Sequence, residues 1–131
     1  MNTADVSELL AWGKVLEAAG ADAMAEGEKI VAKGALNIKT KARRLAPGTG
    51  HAKHYPASIS YDVTTKPGDI VGEIGPVQGR RQRGLGNLLE YGGPRNRPHP
   101  HHEPALDAEE PRFYSACEDL TARLVERHGR V

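Results

Sequence analysis

The run LGNLLEYGGPRNRPHPHHEPAL, from Leu85 to Leu106, constrains the fold of this chain more than any other stretch. An apolar segment, Leu88-Leu89-Glu90-Tyr91, is stopped by Gly92-Gly93-Pro94, because glycine frees the backbone and proline removes a donor. A polar loop of Arg, Pro and His follows. Pro104 then sits where the first turn of a helix tolerates proline, since that N–H has no intrahelical partner. The stretch predicts a strand or short helical turn, a sharp corner, a stiff loop and a helix start. It holds three of the six histidines, yet none stands in a catalytic arrangement, which points to an assembly surface.

Upstream, Val6, Leu9, Leu10, Leu16 and Ala19 form a helical stripe, with Asp5 or Ser7 available as a cap. Gly20 predicts a stop and Asp22 a new cap, so the pattern reads as two helices, the second running from about 22 to 45. Met24, Val31, Ile38 and Leu45 recur every seven residues, as do Gly13, Gly20, Gly27 and Gly34. Each glycine inside a helix costs about 1 kcal/mol relative to alanine, so the repeat marks either a strip of close approach or a coincidence of composition. Lys39, Lys41, Arg43 and Arg44 suit the carbonyl end of a helix that Pro47 closes. After the loop 47–56, residues 58–65 and 70–75 alternate apolar and polar around Lys66-Pro67-Gly68-Asp69, the pattern of a hairpin. The segment 76–86 is basic and glycine-rich, predicting mobility alone and order on contact. A last helix, 104–128, carries Leu120 and Leu124 with Phe113, Ala116 or Cys117 toward the core, and Pro111 is expected to kink or restart it. The expected class is α+β in one domain, 1–131: two N-terminal helices (1–46), a small antiparallel sheet built on the hairpin (57–91) and a C-terminal helix, with loops at 47–56, 76–86 and 92–103.

The chemistry on offer is narrow. One cysteine, Cys117, excludes an intramolecular disulfide and a thiolate-cage zinc site, and reads as a small apolar side chain. His99, His101, His102 and Glu103 have metal-ligating groups, but alternating prolines hold them extended and no second ligand group is evident nearby in the sequence. No nucleophile elbow, Cys–His pair or phosphate loop is present, so enzyme activity and cofactors are not expected. No apolar run or signal-peptide pattern calls for a membrane; the chain reads as soluble and cytoplasmic.

The net charge of +1 hides a segregation. Residues 1–28 carry six acids and one base, 29–97 four acids and thirteen bases, and 98–131 seven acids and four bases. A basic middle between acidic ends faces nucleic acid, complements a neighbouring copy, or is neutralised by fold-back of the ends. With 5% aromatic residues there is little stacking surface, so Arg80, Arg81, Arg83, Arg95 and Arg97 suit salt-sensitive phosphate contact at most.

KTKARRLAP at 39–47, a glycine loop, SISYDV at 58–63, GEIGPV at 72–77, NLLEYGG at 87–93 and HPHHEPAL at 99–106 together resemble the small tail-completion or head–tail connector (neck) proteins of long-tailed bacteriophages. The resemblance spans roughly residues 30–120 and lies in the order and spacing of short motifs. Leu89, Glu90, Tyr91 and Gly92 match an apolar-Glu-aromatic-Gly element; Pro104, Ala105 and Leu106 match a helix start. The loop 48–56 keeps only Thr49-Gly50 of its usual character, the arginine loop is unusually basic, and Pro111 interrupts a helix that is normally continuous.

The resemblance implies a virion protein, not an enzyme: a homo-oligomeric ring, expected to be six-fold, at the joint between the DNA-filled capsid and the tail. It implies contacts with an adjacent connector or stopper ring and with tail-tube or tail-terminator proteins. Thr49, His51, His54, Glu90, Tyr91, Arg95, Arg97, His99 and His101 are the expected ring and partner contacts, and Arg80, Arg81 and Arg83 the DNA-facing ones. The alternative is a small nucleic-acid-binding protein using the basic middle.

Overall fold

A computed structural model describes residues 6–48, 50–77 and 81–129. A long helix, α1 (Ser7–Leu45), leads into a segment with two single 3₁₀ turns, then strands β1 (Ile59–Lys66) and β2 (Asp69–Pro76), a short helix α2 (Gly86–Tyr91) and a long helix α3 (His102–His128). The α+β class with a small antiparallel sheet and a C-terminal helix is as expected.

The two expected N-terminal helices are one. α1 runs unbroken through Gly20 and Asp22 for 39 residues, about 58 Å at 1.5 Å per residue. A glycine stops a helix when it turns left-handed; Gly20 stays helical, so its cost is a local weakening and not a break. Val6 stands at the N-cap, and the proposed cap Asp5 lies outside the described residues. α3 is likewise continuous across Pro111. The carbonyl of Asp107, which Pro111 leaves without its partner, sits on an exposed face where water can take its place. Glu109, two residues before Pro111, is mid-helix and buried.

The hairpin follows the alternation. β1 and β2 pair from Ile59 opposite Pro76 to Lys66 opposite Asp69, which leaves a two-residue turn. Pro67 supplies the fixed φ and Gly68 the positive one, φ 77°. The only strands among the described residues are these two, so the sheet spans 59–76 and not 57–91. The apolar segment 88–91, read as a strand or a short helical turn, lies in α2.

The hairpin lies along α1. A Cβ on Gly72 would come within 3.1 Å of Val31, and one on Gly27 within 3.1 Å of the Ile70 tip. α3 packs antiparallel on α1: Phe113 fills the notch at Gly34, where a Cβ would stand 3.2 Å from its ring. Half of the glycine repeat is thus a pair of notches for large side chains. Buried Glu109 accepts a hydrogen bond from Asn37 Nδ2 of α1 at 3.2 Å, which ties the register of the two helices, and one from Arg112 Nε of its own helix at 2.5 Å. At the far end Asp22 meets Arg127 at 3.2 Å and His128 at 2.6 Å.

The core sits where α1 ends and α3 begins. Ala42, Ala46, Ala52, Tyr55, Ile59 and Ala105 are buried together, ringed by Ile38, Ile74, Leu85 and Leu89. Alanines let the helices approach closely, and Tyr55 fills the space between them. Leu120 is buried and Phe113, Ala116, Cys117 and Leu124 are half-buried, as their spacing predicts. The stripe at the start of α1 is exposed, with Leu9 70% and Leu16 69% accessible.

Candidate functional site: a carboxylate cap and the loop cluster around it

α2 is short because Gly92 follows it at φ 77°, a conformation that glycine reaches freely. The corner 93–96 closes on itself by hydrogen bonds between Gly93 and Asn96, and His99 N donates to the Leu89 carbonyl at 2.6 Å. Those two constraints carry the chain back over α2, so that Glu90 faces the first turn of α3.

Glu90 is buried, and its carboxylate accepts from the backbone N–H groups of His101 at 3.1 Å, His102 at 2.9 Å and Glu103 at 3.4 Å. The N-cap residue of α3, His101, makes no side-chain cap. The orphan donors of this helix are therefore satisfied by a residue from another element, and a negative charge lies at the positive end of the dipole. Burial by itself would raise the Glu90 pKa; the three N–H groups and the His102 ring outweigh it and hold the carboxyl below its ordinary value.

Behind the carboxylate, His101 is fully buried. Its Nδ1 lies 2.9 Å from the His99 carbonyl and 3.2 Å from Glu90, both acceptors, so Nδ1 carries the proton. Nε2 then accepts from the Tyr55 hydroxyl at 2.7 Å, with the rings edge to face. Burial, and secondarily the Glu90 charge, pushes the Tyr55 phenol up to about 12. His102 Nδ1 also reaches Glu90 at 3.1 Å, while its Nε2 is buried with no partner among the described residues. Burial, then the neighbouring His101, lowers the His102 pKa against the opposing pull of Glu90.

Glu90, His101 and His102 bring three ligand-type atoms within 4.8 Å of one another. The sequence hid this trio, because the second ligand group for the histidines comes from across the corner. Most of its ligand atoms are already engaged: Glu90 accepts from three backbone N–H groups, and both His101 nitrogens are held by His99 and Tyr55, which leaves His102 Nε2 without a partner among the described residues. As it stands the constellation is a hydrogen-bonded clamp with its inner end sealed.

The loops gather around this clamp. Gln82, the one described non-glycine residue with positive φ (62°), bridges two of them: its Oε1 accepts from His54 N at 2.6 Å and its Nε2 donates to the His51 carbonyl. The described part of the arginine loop is thus a folded corner and not a free segment. Burial and the charges of Arg81 and Lys53 lower the His54 pKa. His51, Tyr91, Arg81, Arg83, Arg95, Arg97 and His99 are exposed. Of the expected contact residues, Glu90 and His101 are turned inward, their side chains engaged in the clamp, and Thr49 and Arg80 lie outside the described residues. Tyr55 and Gln82, which join the loops, were missed; a lone Tyr or Gln in a polar loop carries no periodic signal.

Beside the clamp an open groove of about 770 Å³ is lined by Ile38, Ile74, Leu106 and Tyr91 together with Arg83, Glu90, His102 and Glu103. Among the described residues no helix is long and apolar enough to cross a membrane. No protein-family model matches the chain, and searches of curated proteins and of solved structures find no match.

Proposed function

We propose that this chain is a structural subunit of the head–tail joint of a long-tailed bacteriophage, a ring component between the filled capsid and the tail through which DNA passes. The reading starts from the ordered motifs between residues 39 and 106. The observation that carries it is the polarity of the subunit. The basic loop cluster lies at the C-terminal end of α1 and the acidic, apolar start of α1 lies at the other, about 58 Å away along the helix.

The ion pairs of this fold leave that polarity standing. Asp22 and Glu26 pair with Arg127 and His128, so the two acidic ends are tied to each other and not to the basic middle. Among the described residues Arg81, Arg83, Arg95 and Arg97 enter no ion pair. A closed ring needs two different, complementary faces on every copy, and this subunit offers them. In this reading the Arg81 and Arg83 corner faces the lumen, and Tyr91, Arg95, Arg97 and His99 face the adjoining ring or tail protein.

The test is a particle assembled without this chain: filled heads and finished tails should accumulate unjoined, and the chain should restore joining when added back. Normal, infectious particles without it would end the reading. The same unpaired arginines favour a second reading, a small nucleic-acid-binding protein; tight, salt-sensitive DNA binding by the isolated monomer at physiological salt would select it.

A further inference from the structure

The hairpin is a sheet of two strands, so each strand keeps one side that no other strand among the described residues covers. Val77 N donates to the Ser58 carbonyl at 2.8 Å, which sets the alternation. Ser60, Asp62, Thr64 and Lys66 exchange bonds with β2, while Ile59, Tyr61, Val63 and Thr65 turn their backbone groups off the sheet. On β2 the outward positions are Ile70, Gly72, Ile74 and Pro76, and the proline sits where an edge strand tolerates it. Among the described residues the outward groups of Ile70, Gly72 and Ile74 have no partner. β1 is partly guarded. Arg43 Nε donates to the Ile59 carbonyl at 2.7 Å, and Val63 N donates at 2.9 Å to the carboxylate of Asp62, an exposed side chain free to swing away.

The hairpin takes the flank of α1 at Val31 and Ala35, and α3 takes the flank at Gly34 and Asn37. Between them, beside the edge of β2, runs a trough of about 200 Å³ lined by Ile70, Ile74, Leu106 and Phe113, with Glu109 and Glu110 on its α3 wall.

We infer that the free edge of β1 in one copy of this chain adds antiparallel to the free edge of β2 in the next, joining neighbouring subunits through one continuous sheet. The backbone calls for a strand, because only a strand satisfies a row of alternating N–H and C=O groups. The outward positions of both strands carry the side chains that face α1, so the pairing keeps the helices of both copies on one side of the sheet. Charge selects which edge of the second copy docks. The β2 side carries Asp69, Glu73, Glu109 and Glu110, with Arg112 on Glu109 alone set against them. The β1 side carries Lys66, Arg43 and Lys39, the last 5.5 Å over the Tyr61 ring, against Asp62. Like edges repel and unlike edges attract, which disfavours a two-fold pairing and leaves the head-to-tail one. A register that sets Thr65 opposite Gly72 and Val63 opposite Ile74 lays both side chains over the trough. It also places Lys66 diagonally between Asp69 and Glu73, and Asp62 opposite Gly75. The loop cluster stays free for the lumen and the adjoining protein. This inference rests on the ring reading and names the lateral joint that would build it.

The experiment is sedimentation velocity of the full-length chain over a concentration series, with Thr65→Pro, Lys66→Glu, Glu73→Lys and the Lys66→Glu/Glu73→Lys double variant. All three positions are exposed, and the Thr65 N–H has no place in the hairpin's own ladder, so proline there blocks only the edge. Far-UV circular dichroism and a thermal melt check each fold; should Thr65→Pro melt early, the charge set decides. The wild type should self-associate, Thr65→Pro should weaken association by about tenfold or more, and each single reversal by about fivefold. The double reversal should recover most of the loss. A wild type that stays monomeric at about 200 μM, a folded Thr65→Pro that associates like it, or a double reversal that recovers nothing would each overturn the inference. Those results bear on the joint alone, whereas infectious particles lacking the chain sink the neck reading without touching the strand contact.

Discussion

Glu90 Oε1 lies 2.9 Å from the backbone nitrogen of His102, twelve residues further along the chain. The corner between them exists to make that contact, because a helix start with no cap of its own needs acceptors from elsewhere. Replacing Glu90 with Ala leaves buried N–H groups without partners and should cost about 3 kcal/mol; Gln, which keeps an acceptor but loses the charge, should cost about 1–2 kcal/mol. Urea unfolding of the two variants gives the order, and equal midpoints would remove the cap from the argument.

Acid should unfold the protein through the same clamp. The pKa of His102 is lowered from 6.5, so below that pH the unfolded chain takes up a proton first and stability falls. Glu90 is held below 4.5, so its contribution is present above that value and is lost as pH falls through its lower folded pKa. The urea midpoint should therefore decline in two stages between pH 7 and 3, and Glu90→Gln should flatten the second. An unchanged acid limb in that variant would place the titration elsewhere.

Tyr55→Phe removes the hydroxyl that His101 Nε2 accepts from inside the core. The imidazole nitrogen then has no partner, at a cost of about 1–3 kcal/mol. In the wild type the phenol, raised to about 12, also makes stability fall as pH rises from 10 toward that value, and the Phe variant should lose this alkaline limb. Thermal melts at pH 9 and 11 separate the two effects.

Gly92→Ala puts a side chain on a residue at φ 77°, with its Cβ 2.9 Å from Pro98 N and 3.0 Å from Asn96 O. Backbone strain and collision together predict a loss of about 3 kcal/mol, and the chain after the corner would no longer return over Glu90. Hydrogen exchange at His101, His102 and Glu103 should accelerate well beyond the global change.

The glycine repeat divides in two. Gly34→Leu drives atoms into the Phe113 ring and should cost about 1–3 kcal/mol, whereas Gly20→Ala meets nothing and should add helix at about 1 kcal/mol. Far-UV ellipticity should rise in the second variant and the midpoint should drop in the first. A Gly20→Ala chain with less helix would contradict the continuity of α1.

Periodic elements were readable in the sequence. The hairpin register follows from alternation around Pro67-Gly68, and α3 from Pro104 onward follows from its stripe. The breaks were misread because Gly20 and Pro111 carry stop signals that local rules cannot weigh against a packed face or a solvated carbonyl. The clamp was visible only as parts. Glu90 and His101 stood out as residues of interest, but their meeting depends on a Gly92 dihedral and a Gly93–Asn96 corner, and a motif string holds neither. Tyr55 gave no warning, since the segment around it reads as loop while the residue itself is core. The exposed start of α1 was legible as a stripe, yet nothing in the stripe says where the covering helix ends.

The turns of α1 before Asp22 continue a helix whose nucleus is already formed in the body, so they lengthen or fray one hydrogen bond at a time without a barrier. Warming should therefore erode ellipticity gradually, long before the calorimetric transition, and cooling should restore it with no hysteresis. A neighbour that gripped those turns would turn this slow ramp into part of a single cooperative step.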